Sequence, residues 1–359
     1  MTLRRRVKGY FEERNLSPHA NTEMVVKTIV MVSAYLVPYL LMLLGVISST
    51  PAMLITWAFM GFAVAGIGMC VMHDANHLAY SDNAIVNRNI GYLLNIIGGF
   101  VANWKIQHNR LHHSYTNIDH HDEDIAPRLV LRLCPHKKRY GFHRIQHIYG
   151  WFLYGFMTIA WITVKDFNRL FKYRESGFLK DKNGQFEILL TKLVFLKIGY
   201  YGLFLVLPIM LIPVAWWITA LGFFFMHFVA GLTLAVVFQL AHVMPTSEYP
   251  LPNEQGSMEN NWAIHQMITT TNFSPNNRAF SWYLGGLNFQ IEHHLFPQIC
   301  HVHYRNISPI VKQTAEEFGI PYFVQPTFVK ALGQHKEMLK KLGRFDEIPA
   351  VHSPALTVG

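Results

Sequence analysis

Residues 198–241 read IGYYGLFLVLPIMLIPVAWWITALGFFFMHFVAGLTLAVVFQLA, without one Asp, Glu, Lys or Arg and with one histidine, His227. A single helix crosses a bilayer with about 20 apolar residues, so this run is long enough for two passes. Pro213 and the pair Trp216-Trp217 mark the break, with the tryptophans where an interfacial belt belongs. His227 falls inside a pass and reads as a polar contact between helices.

Upstream, residues 29–47 and 51–72 are two further uncharged runs, joined by the short polar turn Ser48-Ser49-Thr50-Pro51. Together the four runs predict two transmembrane hairpins. Neither hairpin turn carries a charge. Lys and Arg gather instead in residues 4–14, in the segment 88–197 and after the last pass. An excess of Lys and Arg marks the cytosolic side, so both termini and the large middle segment are expected there. Two weaker runs, 90–104 and 149–164, are short for a crossing, and Gly91, Asn95, Gly98 and Gly99 interrupt the first. They are expected to lie at the interface.

Composition agrees with a membrane protein. Of 359 residues, 51% are hydrophobic and only 15% charged, with a mean hydropathy of +0.17, whereas soluble domains carry about 25% charged residues. The net charge of +9 does not indicate nucleic acid, because the basic residues flank apolar runs and form no basic/aromatic patch. A membrane surface and an acidic partner protein, at 137–139 or 336–344, fit better. Cys70, Cys134 and Cys300 are isolated in sequence, which excludes CxxC motifs and four-cysteine clusters.

Histidine carries the chemistry. His73 and His77 follow the second apolar run at helical i, i+4 spacing; His108, His112 and His113 lie within six residues. In an α-helix His108 and His112 share a face and can grip one ion, while His113 points about 100° further round and can serve a neighbouring one. His242 closes the last apolar run, and Gln290, His293 and His294 fall on one helical face. Four segments thus bring eight histidines to one membrane face, which points to two metals. Imidazole suits Zn, Cu, Fe or Ni, so the cluster alone does not name the metal. The acidic run Asp119, Asp122, Glu123, Asp124 can accept imidazole N–H bonds. His120 and His121 read as surface residues, and His265, His301 and His303 as reserves.

HDANH (73–77), HNRLHH (108–113) with YTNIDHHDED (115–124) after it, and QIEHHLFP (290–297) resemble the three histidine boxes of the membrane fatty acid desaturase family. The resemblance spans roughly residues 25–312. Gln290 opening the third box and ICHVHY (299–304) resemble the front-end, Δ5/Δ6-type branch. The resemblance implies an all-α integral membrane protein, with four transmembrane helices, interfacial helices and a cytosolic helical cap holding a di-metal site. It also implies two Fe ions, O2 as co-substrate, and an acyl chain, CoA- or lipid-linked, threaded through a bent tunnel. The metal ligands it implies are His73, His77, His108, His112, His113, His242, His293 and His294. Gln290 departs from the histidine of many relatives and becomes water-bridged or supporting, as do Asn76, Asp122, Asp124 and His265. No HPGG haem motif is present, so electrons are expected from a separate ferredoxin or cytochrome b5. The expected organisation is a cytosolic segment 1–24, a desaturase domain 25–312 and a cytosolic tail 313–359. A hydroxylase or ketolase of the same superfamily and a Δ9 desaturase are the alternatives. A metal transporter fits less well, since it would place polar residues at the membrane midplane.

Overall fold

A computed structural model of the chain describes residues 2–125, 129–179 and 184–346; most of the expected tail beyond Arg344 lies outside them. Among the described residues the architecture is helical, with one two-residue parallel strand pair, β1 (Asn272–Phe273) beside β2 (Val324–Gln325).

Four helices among the described residues are long and apolar enough to cross a membrane: α2 (Thr22–Leu43), α3 (Thr50–Asn76), α8 (Gln185–Leu211) and α9 (Trp216–His242). Asn21 caps α2 by accepting from the Met24 N–H, and Pro51 opens α3, where its missing N–H costs nothing. The outer faces of α2 and α8 stay apolar and exposed, as at Val26, Ile29, Phe195 and Ile198, which suits lipid. Within the bundle, Gly61 of α3 meets the Met226 backbone and Gly222 of α9 meets the Trp57 ring. A Cβ at either would approach within 2.4 Å and 2.2 Å, so both are small because the helices touch there.

The third crossing differs from expectation. It begins at Gln185, well before Ile198, and carries Lys192 and Lys197. Lys197 is buried, with Nζ 2.7 Å from both Asp166 Oδ2 and the Gly98 carbonyl. A charge taken to mark the end of a span is instead neutralised inside the protein. His227 behaves as a helix contact, its Nε2 2.7 Å from the Tyr200 hydroxyl.

The two weak runs are broken helices. Residues 84–96 form α4 (Ala84–Gly91) and a single further turn. The chain then bends at Gly98 (φ +94°) before α5 (residues 101–115). Asn95 fixes the bend by accepting from the Val101 N–H. After α6 (Gln146–Tyr154), α7 (residues 157–175) includes a π-helical segment, Trp161–Lys165.

The remaining helices cap one end of the bundle: α10 (Trp262–Ile268), α11 (Arg278–Tyr283), α12 (Gln290–Leu295), α13 (Tyr304–Glu317) and α14 (Phe328–Arg344). The amphipathic α1 (Thr2–Glu13) packs Val7 and Phe11 with Phe289, Tyr304 and Ile307. The expected N-terminal segment is therefore part of this cap.

Candidate metal centre

Two π-helical segments set the site. Residues Ile67–Val71 of α3 are π-helical just before His73, and Lys105–His112 of α5 are π-helical through the second histidine cluster. A π turn widens the helix so that residues five apart align. His108 and His113 accordingly meet Nε2 to Nε2 at 3.3 Å. This corrects the α-helical expectation: His113, rather than His112 alone, shares the face of His108.

The donor atoms of His73, His77, His108 and His293 lie within 4.8 Å of one another, and so do those of His112, His242 and His294. Each group is buried and could hold a metal ion. The two groups are not wholly separate, because His108 and His112 also come within that reach of Asp124. His113 stands between them, its ring 4.7 Å from His77, 4.6 Å from His293 and 4.5 Å from His294.

The rings are held through Nδ1. His112 Nδ1 lies 3.2 Å from both Asp122 oxygens, and Asp124 is 3.6 Å away. His293 Nδ1 is 3.2 Å from the Tyr304 hydroxyl, and His294 Nδ1 is 2.8 Å from Gln266 Oε1. The His242 Nδ1 sits 3.3 Å from the Thr269 carbonyl, and His73 Nδ1 3.4 Å from Asp74. The carboxylate, amide and carbonyl oxygens select the Nδ1–H tautomer and leave the Nε2 lone pair turned inward, and the Tyr304 hydroxyl can accept from His293 in the same way.

That inward set fits a metal pair. The Nε2 atoms of His77, His112, His242, His293 and His294 are buried without a protein hydrogen-bond partner among the described residues. Buried polar atoms are seldom left so, and imidazole nitrogens gathered in two groups suit iron as well as zinc, copper or nickel. Burial, then the neighbouring imidazoles, hold His108, His113, His293 and His294 well below the usual histidine range. They are therefore neutral donors near neutral pH. Burial also acts against a charged His112, but Asp122 prevails and keeps it above the ordinary value.

The supporting candidates separate. Asp122 and Asp124 stand behind His112. Gln290, 1% exposed, has neither amide atom partnered by the described protein. The Asn76 amide donates to the Gly91 carbonyl at 3.2 Å, tying α3 to α4. His265 Nε2 lies 2.8 Å from the Thr116 carbonyl, which makes it a scaffold residue. His120 and His121 are exposed.

Several contributors carried no sequence signal of their own. Tyr304, Gln266 and the Thr269 carbonyl reach their imidazoles across tertiary contacts. Trp104 stacks on His108 at 4.5 Å. Glu292 anchors α12 to Tyr322 (2.6 Å) and Asn272 (2.8 Å), so the strand pair fixes the third cluster in place. The chain turns sharply after His77 because Leu78 adopts φ +64°, rare for a side chain of its size.

A cavity of about 250 Å3 opens beside His73 and His108. Its wall is mostly apolar, with Gly68, Leu94, Leu234 and Phe238, and its polar lining includes Gln107, Glu123, Asp124 and Lys165. A second, open recess of about 330 Å3 reaches His77 and His113 past Lys105, Asn109 and Pro297.

Sequence comparison gives a consistent picture. Residues 48–326 match the profile described as "Fatty acid desaturase". An "sn-1 linoleoyl-lipid 6-desaturase" of Arthrospira platensis is 36% identical, over 97% of this chain and 94% of its own length. A protein of the same description from Synechocystis is 34% identical over 95% and 94%. An "Acyl-lipid (8-3)-desaturase" of Physcomitrium patens is 35% identical over 96% of this chain and 71% of its own length.

Proposed function

The chain belongs to the fatty acid desaturase family, and from that premise we propose that it is a front-end acyl-lipid desaturase using two irons and O2. It is an oxidoreductase of fatty acyl chains. The observation that carries the finer reading is the pair of imidazole groups with inward Nε2 atoms, set against an apolar cavity.

The overall change is –CH2–CH2– + O2 + 2 e⁻ + 2 H⁺ → –CH=CH– + 2 H2O. Iron, when bound, supplies the oxidising power that an unactivated methylene demands. His73, His77, His108 and His293 form one half of the proposed ligand set, and His112, His242 and His294 the other. His113 stands between them, and the unpartnered amide of Gln290 supports a ligand water in this reading. Asp122, Gln266, Tyr304 and Thr269 keep each ring in its donor tautomer. The cavity wall aligns the chain with His73 and His108 and excludes water.

Front-end selectivity rests on the first relatives, whose names specify a linoleoyl lipid and position 6. A pre-existing cis bond bends the chain and lowers the entropy lost on entering a curved cavity. The recess at His77 and His113 is the approach we assign to a separate electron carrier. The basic run 137–139 serves less well, since Lys137 pairs with Asp119 and Arg139 with Asp346, both at 2.8 Å. We place both termini and the site on the cytosolic face, following the Lys and Arg bias.

Expression in a host poor in desaturases, with linoleate and stearate fed side by side, tests the assignment. A new double bond on the carboxyl side of those in linoleate is expected. Product from stearate alone, at the ninth carbon, would replace the front-end reading by a Δ9 one. A hydroxylated product would favour the superfamily's other chemistry.

A further inference from the structure

Lys27 lies within the membrane-spanning α2 and is only 1% exposed. An ionisable residue buried in a span is costly and marks function unless packing accounts for it. Its Nζ lies 2.6 Å from His301 Nε2 and 5.2 Å from the centre of the Trp282 ring. A lysine ammonium only donates, so His301 Nε2 accepts and its proton sits on Nδ1. That Nδ1–H lies 2.8 Å from Asp74 Oδ2, which also takes the His301 backbone N–H at 2.9 Å. The other Asp74 oxygen, Oδ1, is 3.4 Å from His73 Nδ1. One chain of directed contacts thus runs from the first crossing to a proposed metal ligand.

We propose that Lys27 is a positioning residue that acts through His301 and Asp74 on His73, fixing its tautomer and limiting how strongly it donates to the metal. This rests on the di-iron reading above. Asp74 shares its negative charge between two imidazole N–H groups, and Lys27 draws that charge toward His301. With the lysine charge gone, Asp74 polarises the His73 N–H more fully. His73 then becomes a stronger donor, and the oxidised metal is favoured. The donation order requires no proton to move.

The readout is the midpoint potential of iron bound to the full-length purified protein. Lys27→Met should shift it downward, whereas Lys27→Arg, which keeps the charge, should restore it. His301→Asn keeps a donor to Asp74 but breaks the contact with Lys27, so it should lower the potential even if Lys27→Met fails to fold. The double variant should fall no further than either single one, because both cut the same link. Wild-type potential in Lys27→Met or His301→Asn overturns the proposal, as does an equal shift in Lys27→Arg. Wild-type protein that binds no iron would instead overturn the functional reading beneath it.

Discussion

His108 and His113, five residues apart, bring their Nε2 atoms to 3.3 Å of each other across a π-helical stretch. An α-helix would separate them by about 140° and turn His113 away from its partner. A π turn is in effect an α-helix with one extra residue. Inserting one alanine after the exposed Arg110 should set His108 and His113 six residues apart, about 240° round an α-helix, and misalign the cluster. Metal bound per chain should then fall from two ions to one or fewer, by elemental analysis, with membrane insertion intact. Arg110→Ala, which keeps the register, should bind metal as the wild type does.

Asp122 holds His112 through both of its oxygens and also accepts the Asn117 N–H at 2.9 Å. Asp122→Asn keeps the shape but loses the charge. Removing such support weakens metal binding by roughly 10–100-fold. Faster loss of iron to a chelator should report it. His112→Ala should abolish turnover altogether.

Gly68 lines the apolar cavity, and a Cβ there would sit 3.5 Å from Leu234 and 4.0 Å from Ile97. Alanine therefore fits at ordinary contact distance, while leucine must occupy the cavity itself. Pocket changes of a methylene or two shift selectivity by about 10–200-fold. Gly68→Leu should cut turnover of long acyl chains by at least roughly tenfold while sparing shorter ones. Gly68→Ala should keep the wild-type preference, as product chain lengths would show.

Burial lowers the pKa of His335 to about 4, against the usual 6.5. Its ring bridges the Val243 carbonyl at 2.8 Å and the Tyr154 hydroxyl at 2.9 Å, so a neutral ring is fully satisfied with Nδ1–H donating and Nε2 accepting. Above pH 6.5 neither the folded nor the unfolded chain protonates it, and its contribution is intact. As pH falls from 6.5 to 4 only the unfolded state takes up the proton, so stability declines and then levels off below 4. The loss is on the order of 3 kcal/mol. Thermal midpoints measured across that window should fall more steeply for the wild type than for His335→Gln.

Lys197 and Asp166 form a buried ion pair at 2.7 Å. Lys197→Met leaves the Asp166 charge inside the protein without its partner, which costs roughly 3–5 kcal/mol. Asp166 also holds the Trp161 indole N–H at 3.1 Å, and Trp161 lines the apolar cavity beside His73. The variant should therefore lose both thermal stability and chain-length selectivity. Adding Asp166→Asn should recover much of the stability, because no lone charge remains.

The order of the chain already contained much of this protein. Four apolar runs specify four crossings because transfer to lipid depends on local composition over about 20 residues. The clusters at 73–77, 108–113 and 290–294, with His242, were legible because metal-ligand spacing on a helix is a short-range property. The tertiary structure decided what such patterns cannot encode. Lys197 reads as a boundary until Asp166, thirty-one positions away, neutralises it inside the bundle. The sharing of histidines between two groups depends on a π segment, because widening the helix changes which residues align without changing the sequence spacing. Asp74, Tyr304, Gln266 and Lys27 gain their roles from contacts between distant segments. Periodicity reports which side of its own helix a residue occupies, but not which other segment will pack against it.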